Sequence, residues 1–532
     1  MKKFYALLTA LLLTIAAAAQ TLNVQVGSVT YQFPASQCGE MTYSDGATLT
    51  IMGKTFSLSD ISSMTVDDTK VTDNLVSIVY SGSSAAVTVA GNVAQYVEPT
   101  ISGAYVSIAQ SNTAAVDKDE ITYQLSGSST DGQFALSGSY KCTVALAGID
   151  LTCKTGAAID ITNGKRIQLS AKKDTENSLA DCANGSQKAC VYSKGQLQLQ
   201  GNGTLNVVGN TKHAIKSGDY ITVKNLTLNI TSAVGDGINC EEYLLVKSGT
   251  VTISGVGDDG IQCDLGGDTS TGETTDHEDE DSGNIYLEGG TISINCTAQD
   301  VKGVKGAGDV NISDGIISIT TSGREAEGMQ SKGALNISGG HVTVNAYDDA
   351  INSAQDLTIS GGYVYARATN NDGIDANGNC YIKGGVVYAI GASSPEVAID
   401  ANSEEQKKLY VSGGTIVAIG GLESGASLTQ ACYSTSSWSK NTWYALYNGS
   451  ELALAFKAPS SGGSTLVVST SGTTTLKSGV TVSDGTVYFG GMGNIGGSVS
   501  GGSDVTLSSY TGGAGGPGGG GGGPGGGGGH GR

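Results

Sequence analysis

The sequence predicts an all-β chain: a right-handed, single-stranded parallel β-helix of 22–25 residues per coil, with a small β-rich N-terminal module and a C-terminal β cap. Three observations predict it. One phrase recurs from His213 to Asp400: His213-Ala-Ile-Lys, Asp236-Gly-Ile-Asn, Asp259-Gly-Ile-Gln, Lys302-Gly-Val-Lys, Glu327-Gly-Met-Gln, Asp349-Ala-Ile-Asn, Asp372-Gly-Ile-Asp and Val397-Ala-Ile-Asp. Its steps are 23, 23, 43, 25, 22, 23 and 25 residues, and removing about 20 residues from the long step restores the period. A second phrase keeps the same rhythm, from Gly249-Thr-Val-Thr-Ile through Gly362-Tyr-Val-Tyr-Ala to Gly414-Thr-Ile-Val-Ala. Its alternation of apolar and polar residues, rich in Val, Ile and Thr, is that of a half-buried strand. Third, proline is almost absent from the array and no segment carries a sustained helical stripe. Repeats of this kind are stable only when stacked on their neighbours.

Residues 1–19 read as a secretory signal peptide: Lys2-Lys3, an apolar Phe4–Ile15 core and a small-residue end at Ala16–Ala19. The apolar run is short for a membrane span, so no transmembrane segment is expected in the mature chain, and export to the cell surface, the periplasm or the extracellular space is. Residues 20–97 alternate without the 23-residue rhythm and form the N-terminal module; residues 98–421 form the β-helix. An acidic insertion at 264–283 is too charged and too poor in apolar residues to pack, and is expected to stay solvated. Residues 422–511 form the cap over the open end of the solenoid, where strand edges would otherwise be unpaired. Residues 512–532 are a Gly/Pro tail.

The chain has 532 residues, 29 of them basic and 49 acidic. Loss of Lys2 and Lys3 leaves 27 basic residues and a net charge near −22. Such a chain is a poor partner for nucleic acid, whose binding rests on Lys and Arg, and a plausible partner for Ca2+, which takes oxygen ligands. Ten cysteines in an exported chain permit disulfides. Cys182 and Cys190 flank one loop, and Cys240 and Cys263 share a repeat position, where a bridge and a pair of reduced core thiols are both compatible with the spacing.

Stacked coils lie roughly 4.7–4.9 Å apart, so each phrase position becomes a column. The apolar third residue points into the core. Around it lie the acidic residues Asp236, Asp258, Asp259, Glu327, Asp348, Asp349, Asp372, Asp375 and Asp400, with Asn352 among them. Two carboxylates one coil apart repel by about 3–4 kcal/mol at an effective dielectric near 20. A shared calcium removes that conflict; alternatively, these side chains are corner residues bonding nearby backbone. The densest group is Glu327, Asp348, Asp349, Asn352, Asp372, Asp375 and Asp400, with Asp236, Asp258 and Asp259 a second. Lys302 falls between Asp259 and Glu327. As the base of a polysaccharide lyase, Lys302, Lys305 or Lys332 would need a lowered pKa, whereas flanking carboxylates raise it. No catalytic residue is therefore assigned, and Lys302 and Lys305 are placed among the ligand contacts. Tyr365 and Tyr388 share an outward column and Tyr363 sits beside His341; such tyrosines suit the face of a sugar ring, although strand propensity alone also explains them.

The phrases Val234-Gly-Asp-Gly-Ile-Asn, Glu327-Gly-Met-Gln-Ser-Lys, Tyr347-Asp-Asp-Ala-Ile-Asn-Ser and Asn371-Asp-Gly-Ile-Asp-Ala-Asn-Gly resemble those of a family of secreted bacterial carbohydrate-binding β-helix proteins, similar in fold to pectate lyases. The resemblance spans roughly 98–500. It implies calcium at acidic coil corners, here Asp348, Asp349, Asp372, Asp375 and Asp400, and binding of cellulose-like or acidic polysaccharides without cleavage. The chain departs from the pattern at Ala350, Val397 and Lys302. A calcium-dependent lyase and a structural surface or matrix protein without a sugar ligand are the alternatives.

Overall fold

A computed structural model describes residues 20–39, 41–266 and 281–512. The signal segment, most of the acidic insertion and the Gly-rich tail lie outside the described residues.

Each coil contributes strands to three faces. The first face is a 12-stranded sheet, parallel except at its opening pair, in which the recurring phrase forms the strands His213–Ser217, Ile238–Glu241, Ile261–Asp264, Lys302–Gly306, Glu327–Ser331, Ile351–Ser353 and Ile374–Ala376. We call it the phrase sheet. The other two faces belong to one 31-stranded sheet, joined because Ile121–Ser129 and Cys142–Thr152 run continuously around a corner. One of them, the middle face, carries strands such as Leu357–Ile359, Cys380–Ile382 and Leu409–Val411; the other, the rear face, carries the second phrase, as in His341–Ala346, Tyr363–Ala368 and Val386–Ile390. About twelve turns stack in this way, confirming the parallel β-solenoid.

Register follows the apolar columns. Ile215, Ile238, Ile261, Val304, Met329, Ile351 and Ile374 pair in sequence across the phrase sheet, and all are fully buried. A one-residue slip would turn this column to solvent, so burial fixes the register. The second phrase opens on a glycine column, and at Gly362 the backbone has φ +77° while a Cβ would lie 2.6 Å from the Gly339 carbonyl oxygen. Only glycine enters that corner without strain.

The solenoid runs one coil beyond the expected boundary at Gly421. Ile399 pairs in parallel with Leu422, and Leu409–Val411 pairs with Ser427–Leu428. Beyond this, Leu466–Ser469 lies antiparallel along Thr415–Ile419, and Cys432–Thr435 and then Ser508–Tyr510 extend the sheet past it. A six-stranded antiparallel sheet that includes Trp443–Asn448 and Glu451–Lys457 folds back over the rear face. Its Tyr444, Phe456 and Phe489 form one core with Tyr365, Tyr388 and Val417 of the solenoid. At the other end, the strand Leu75–Ser81 pairs in parallel with Ile121–Ser129, and the N-terminal apolar residues share the solenoid core. Cys240 and Cys263 are in register and buried, and Cys182 and Cys190 are free thiols.

Candidate metal centre

The first-position carboxylates form a ladder along the phrase sheet. Asp236 Oδ1 accepts the Asp259 backbone N–H at 3.1 Å, Asp259 Oδ1 accepts that of Lys302 at 2.7 Å, and Asp349 Oδ1 accepts that of Asp372 at 3.0 Å. Asp372 Oδ1 does the same for Val397 at 2.5 Å. The corner reading of these aspartates is therefore what the geometry displays: one oxygen of each satisfies the backbone of the next coil. What distinguishes them is the partner of the second oxygen.

From Asp236 to Asp349 that partner comes from the fourth-position column. Asn239 Nδ2 donates to Asp236 Oδ2 at 2.7 Å, Lys305 Nζ to Asp259 Oδ2 at 3.0 Å, Gln330 Nε2 to both Glu327 oxygens at 3.0 Å, and Asn352 Nδ2 to Asp349 Oδ2 at 3.2 Å. Lys302 Nζ stands 3.6 Å from Glu327. Asp236, Asp258 and Asp259 lie close enough together to share a cation, but Lys305 and Asn239 already supply donors to that group. Asp258 is exposed. Glu327 is likewise engaged by Gln330 and Lys302, and Asn352, an expected ligand, spends its amide N–H groups on Asp349 and Asp375. Asp259, Glu327 and Asn352 are thus accounted for by hydrogen bonds and ion pairs within the chain, and Asp258 lies exposed at the edge of that group.

The pattern fails at the next coils, where the fourth position itself turns acidic. Asn352 pairs with Asp375 in register, Ile374 with Ile399, and Ile399 with Leu422, which aligns Asp375, Asp400 and Glu423. Carboxylate oxygens of Asp372, Asp375 and Asp400 lie within 4.8 Å of one another. Burial first, and then neighbouring carboxylates, push these groups up: Asp375 to about 6, Asp372 to about 7 and Asp400 to about 10. Asp349, buried and facing Asp375 and Asp348, is pushed up to about 8. Asp400 and Glu423 stand close enough to raise one another, as do Asp400 and Asp372, and carboxylates crowded in this way call for protons or a cation between their oxygens. Among the described residues, no Lys or Arg forms an ion pair with Asp349, Asp372, Asp375, Asp400 or Glu423. A set of hard, anionic oxygens without a protein counter-charge fits a Ca2+ ion. Glu396 and Asp348 add charge at the rim.

Glu396 and Glu423 were legible in the sequence. Glu396 occupies the column of Asp258 and Asp348, one residue before the phrase. Gly421-Leu-Glu repeats the end of Val397-Ala-Ile-Asp after a further 23 residues.

The tyrosine expectation needs correction. Tyr365 and Tyr388 do point outward from the coil, but the cap covers them: they are 2% and 0% exposed, with Phe489 5.8 Å from the Tyr365 ring and Phe456 5.4 Å from the Tyr388 ring. Tyr388 cannot meet a sugar, and Tyr365 keeps only an edge on a small cavity between the cap and the rear face. Tyr363 is half-buried, stacked on Tyr488 of the cap at 4.4 Å, with His341 edge-on at 5.1 Å. An accessible pair lies instead on the middle face, where half-buried Tyr381 and Tyr410 stack at 5.0 Å and 11° with Lys383 Nζ over the Tyr381 ring. Both stand four residues before a second-phrase glycine, Gly385 or Gly414, and that shared offset was the available signal.

Comparison with known proteins gives a family for this arrangement. A family described as "Carbohydrate-binding domain-containing protein" matches residues 102–373, half of the chain. The chain belongs to this family. The matched span holds the phrase sheet from its first coils to Asp372, so this carbohydrate-binding family member carries most of the carboxylate ladder inside the shared region and Asp375, Asp400 and Glu423 beyond it. No curated protein matches the chain. A solved structure, described as the polysaccharide lyase-like protein from C. thermocellum in a gadolinium derivative, is similar with 20% identity and a TM-score of 0.39, over 49% of this chain and 96% of that one. No helix among the described residues is long and apolar enough to cross a membrane.

Proposed function

We propose that this chain is an exported, calcium-binding protein that attaches to acidic or cellulose-like polysaccharides without cleaving them. The observation that carries the calcium assignment is the uncompensated group Asp372, Asp375 and Asp400 at the C-terminal end of the phrase sheet. Asp349, Asp348 and Glu423 complete the set that would hold the ion. Bound there, calcium would neutralise the clustered charge and offer coordination positions to a ligand carboxylate. The chain's own part is to hold these carboxylates in fixed register, with one oxygen of Asp349 and one of Asp372 tied to backbone.

Export rests on the Lys2-Lys3 start and apolar core of the leader. The non-catalytic assignment is supported by the lysines. Burial works against the charge on Lys305, but Asp259, Asp258 and Asp236 outweigh it and raise its pKa. Lys302 stands beside Glu327, its Nζ donating to the Asp300 carbonyl at 2.9 Å. A proton-abstracting base needs a lysine that is neutral near working pH, and the carboxylates around Lys305 favour its ammonium.

Calcium titration by calorimetry of the mature chain tests the assignment, alongside Asp375→Asn and Asp400→Asn. The reading expects saturable calcium binding, weakened roughly tenfold or more by either substitution, as loss of one charged ligand implies. Equal affinity in both variants and the parent would place the ion elsewhere, and Asp259→Asn would then be the next variant to compare.

A further inference from the structure

We infer that a second ligand site, specific for a carboxylate-bearing pyranose, lies between the cap and the rear face of the solenoid. A cavity of about 230 Å³ opens to solvent there, bounded by Asn345, Arg367, Asn441, Lys457, Phe489 and Met492. At roughly 30 Å³ per water molecule, it holds about the volume of a single sugar residue.

The cavity's charge sets it apart in a strongly acidic chain. Arg367 continues an outward column that is polar and neutral in the preceding coils, Asn295, Thr320 and Asn345. Lys457 enters from the cap strand Glu451–Lys457. Among the described residues, neither cation forms an ion pair with a carboxylate. Arg367 Nε is buried without a hydrogen-bond partner, and the guanidinium's other contact is a 3.4 Å hydrogen bond from Nη2 to Ser461 Oγ. The accessible Nη edge of the guanidinium, held by that one long bond, is the part that a planar carboxylate fits.

The cap backbone supplies an independent sign. Phe489, an aromatic residue, has φ 60°, and Asn441, which also lines the cavity, has φ 56°. Bulky residues are held in that region only where the surroundings over-determine them, and such positions concentrate at ligand clamps. In this site Arg367 and Lys457 take the carboxylate, and the amides of Asn345 and Asn441 meet ring hydroxyls. The inference rests on reading the chain as a sugar binder, but it does not use the calcium centre, which lies on a different face.

The test is titration of the mature, EDTA-treated protein with glucuronate, with glucose, and with glucose 6-sulfate. Trp443, the cross-strand neighbour of Lys457, provides a fluorescence readout beside calorimetry. Glucuronate should bind, glucose should not, and the sulfate ester should bind more weakly. Arg367→Gln and Lys457→Gln should each weaken glucuronate roughly tenfold or more, with retained melting curves showing that both fold. Equal binding of glucose and glucuronate, or two folded variants with unchanged affinity, would overturn the inference. Polysaccharide binding that survives in Arg367→Gln together with no glucuronate binding would remove this site and leave the calcium reading standing.

Discussion

Raising the pH of the calcium-free protein should destabilise it, and calcium should abolish the effect. The raised carboxyls at the end of the phrase sheet dictate the sign. Asp349 at about 8, Asp372 at about 7 and Asp400 at about 10 hold protons in the folded state, whereas an unfolded aspartate titrates near 3.9. The folded state therefore binds more protons than the unfolded one across neutral pH. The stability these protons bring is present at acid pH and lost as pH rises through the folded values. Near pH 7 the excess is about two protons, which gives a slope of about −2.7 kcal/mol per pH unit. For a chain of this size, with an unfolding entropy near 1 kcal/mol/K, that is roughly 2–3 °C per pH unit. With calcium bound the same groups are already ionised, so the slope should vanish, and a thousandfold excess over Kd should add about 4 kcal/mol. Thermal midpoints at pH 6, 7 and 8, with EDTA and with calcium, provide the assay. Parallel lines in the two conditions, or a calcium-free midpoint that rises with pH, would refute the reasoning.

Three substitutions probe other parts of the account. Lys305→Met leaves Asp259 buried without its 3.0 Å partner; because Lys305 is itself partly exposed, the expected loss is about 2 kcal/mol in urea unfolding, with calcium stoichiometry unchanged. Tyr388→Phe removes the 2.9 Å bond from its hydroxyl to the Lys457 carbonyl, so stability should fall by about 1 kcal/mol while polysaccharide affinity, measured by calorimetry, stays the same. Tyr410→Ala should do the reverse: a half-exposed ring on the middle face is expected to contribute sugar contact, so affinity gel electrophoresis should show weaker retention with little change in melting.

The fold was legible because repetition exposes the inward column. Once Ile238, Ile261, Val304, Met329 and Ile351 were seen to recur, their burial fixed strand, register and coil count together. The end of the array was harder to read, because Leu422-Glu423 carries only the last half of the phrase and its continuation, Ser427–Leu428, is two residues long. The site was legible in part. Periodicity separates the inside of a coil from its outside but says nothing of what lies over the outside, so Tyr365 and Tyr388 read as a platform although the cap buries them. The acidic columns were visible as columns. Their division into a compensated stretch and an uncompensated one depended on whether an amide, a lysine or another carboxylate meets the second oxygen. That difference lies in the fourth position, where Asn239, Lys305, Gln330 and Asn352 give way to Asp375, Asp400 and Glu423.

Calorimetric titration of the mature Arg367→Gln protein, in which the cap-side uronate site is removed, with polygalacturonate, with calcium and with EDTA, while ultraviolet absorbance is followed for unsaturated uronate, is the most direct test of polysaccharide binding at the metal centre. Heat should depend on calcium and be lost when Asp400→Asn is added, with flat absorbance throughout. Rising absorbance would contradict that expectation by showing cleavage, and calcium-independent heat unchanged in Asp400→Asn would contradict it by separating the polysaccharide from the metal centre.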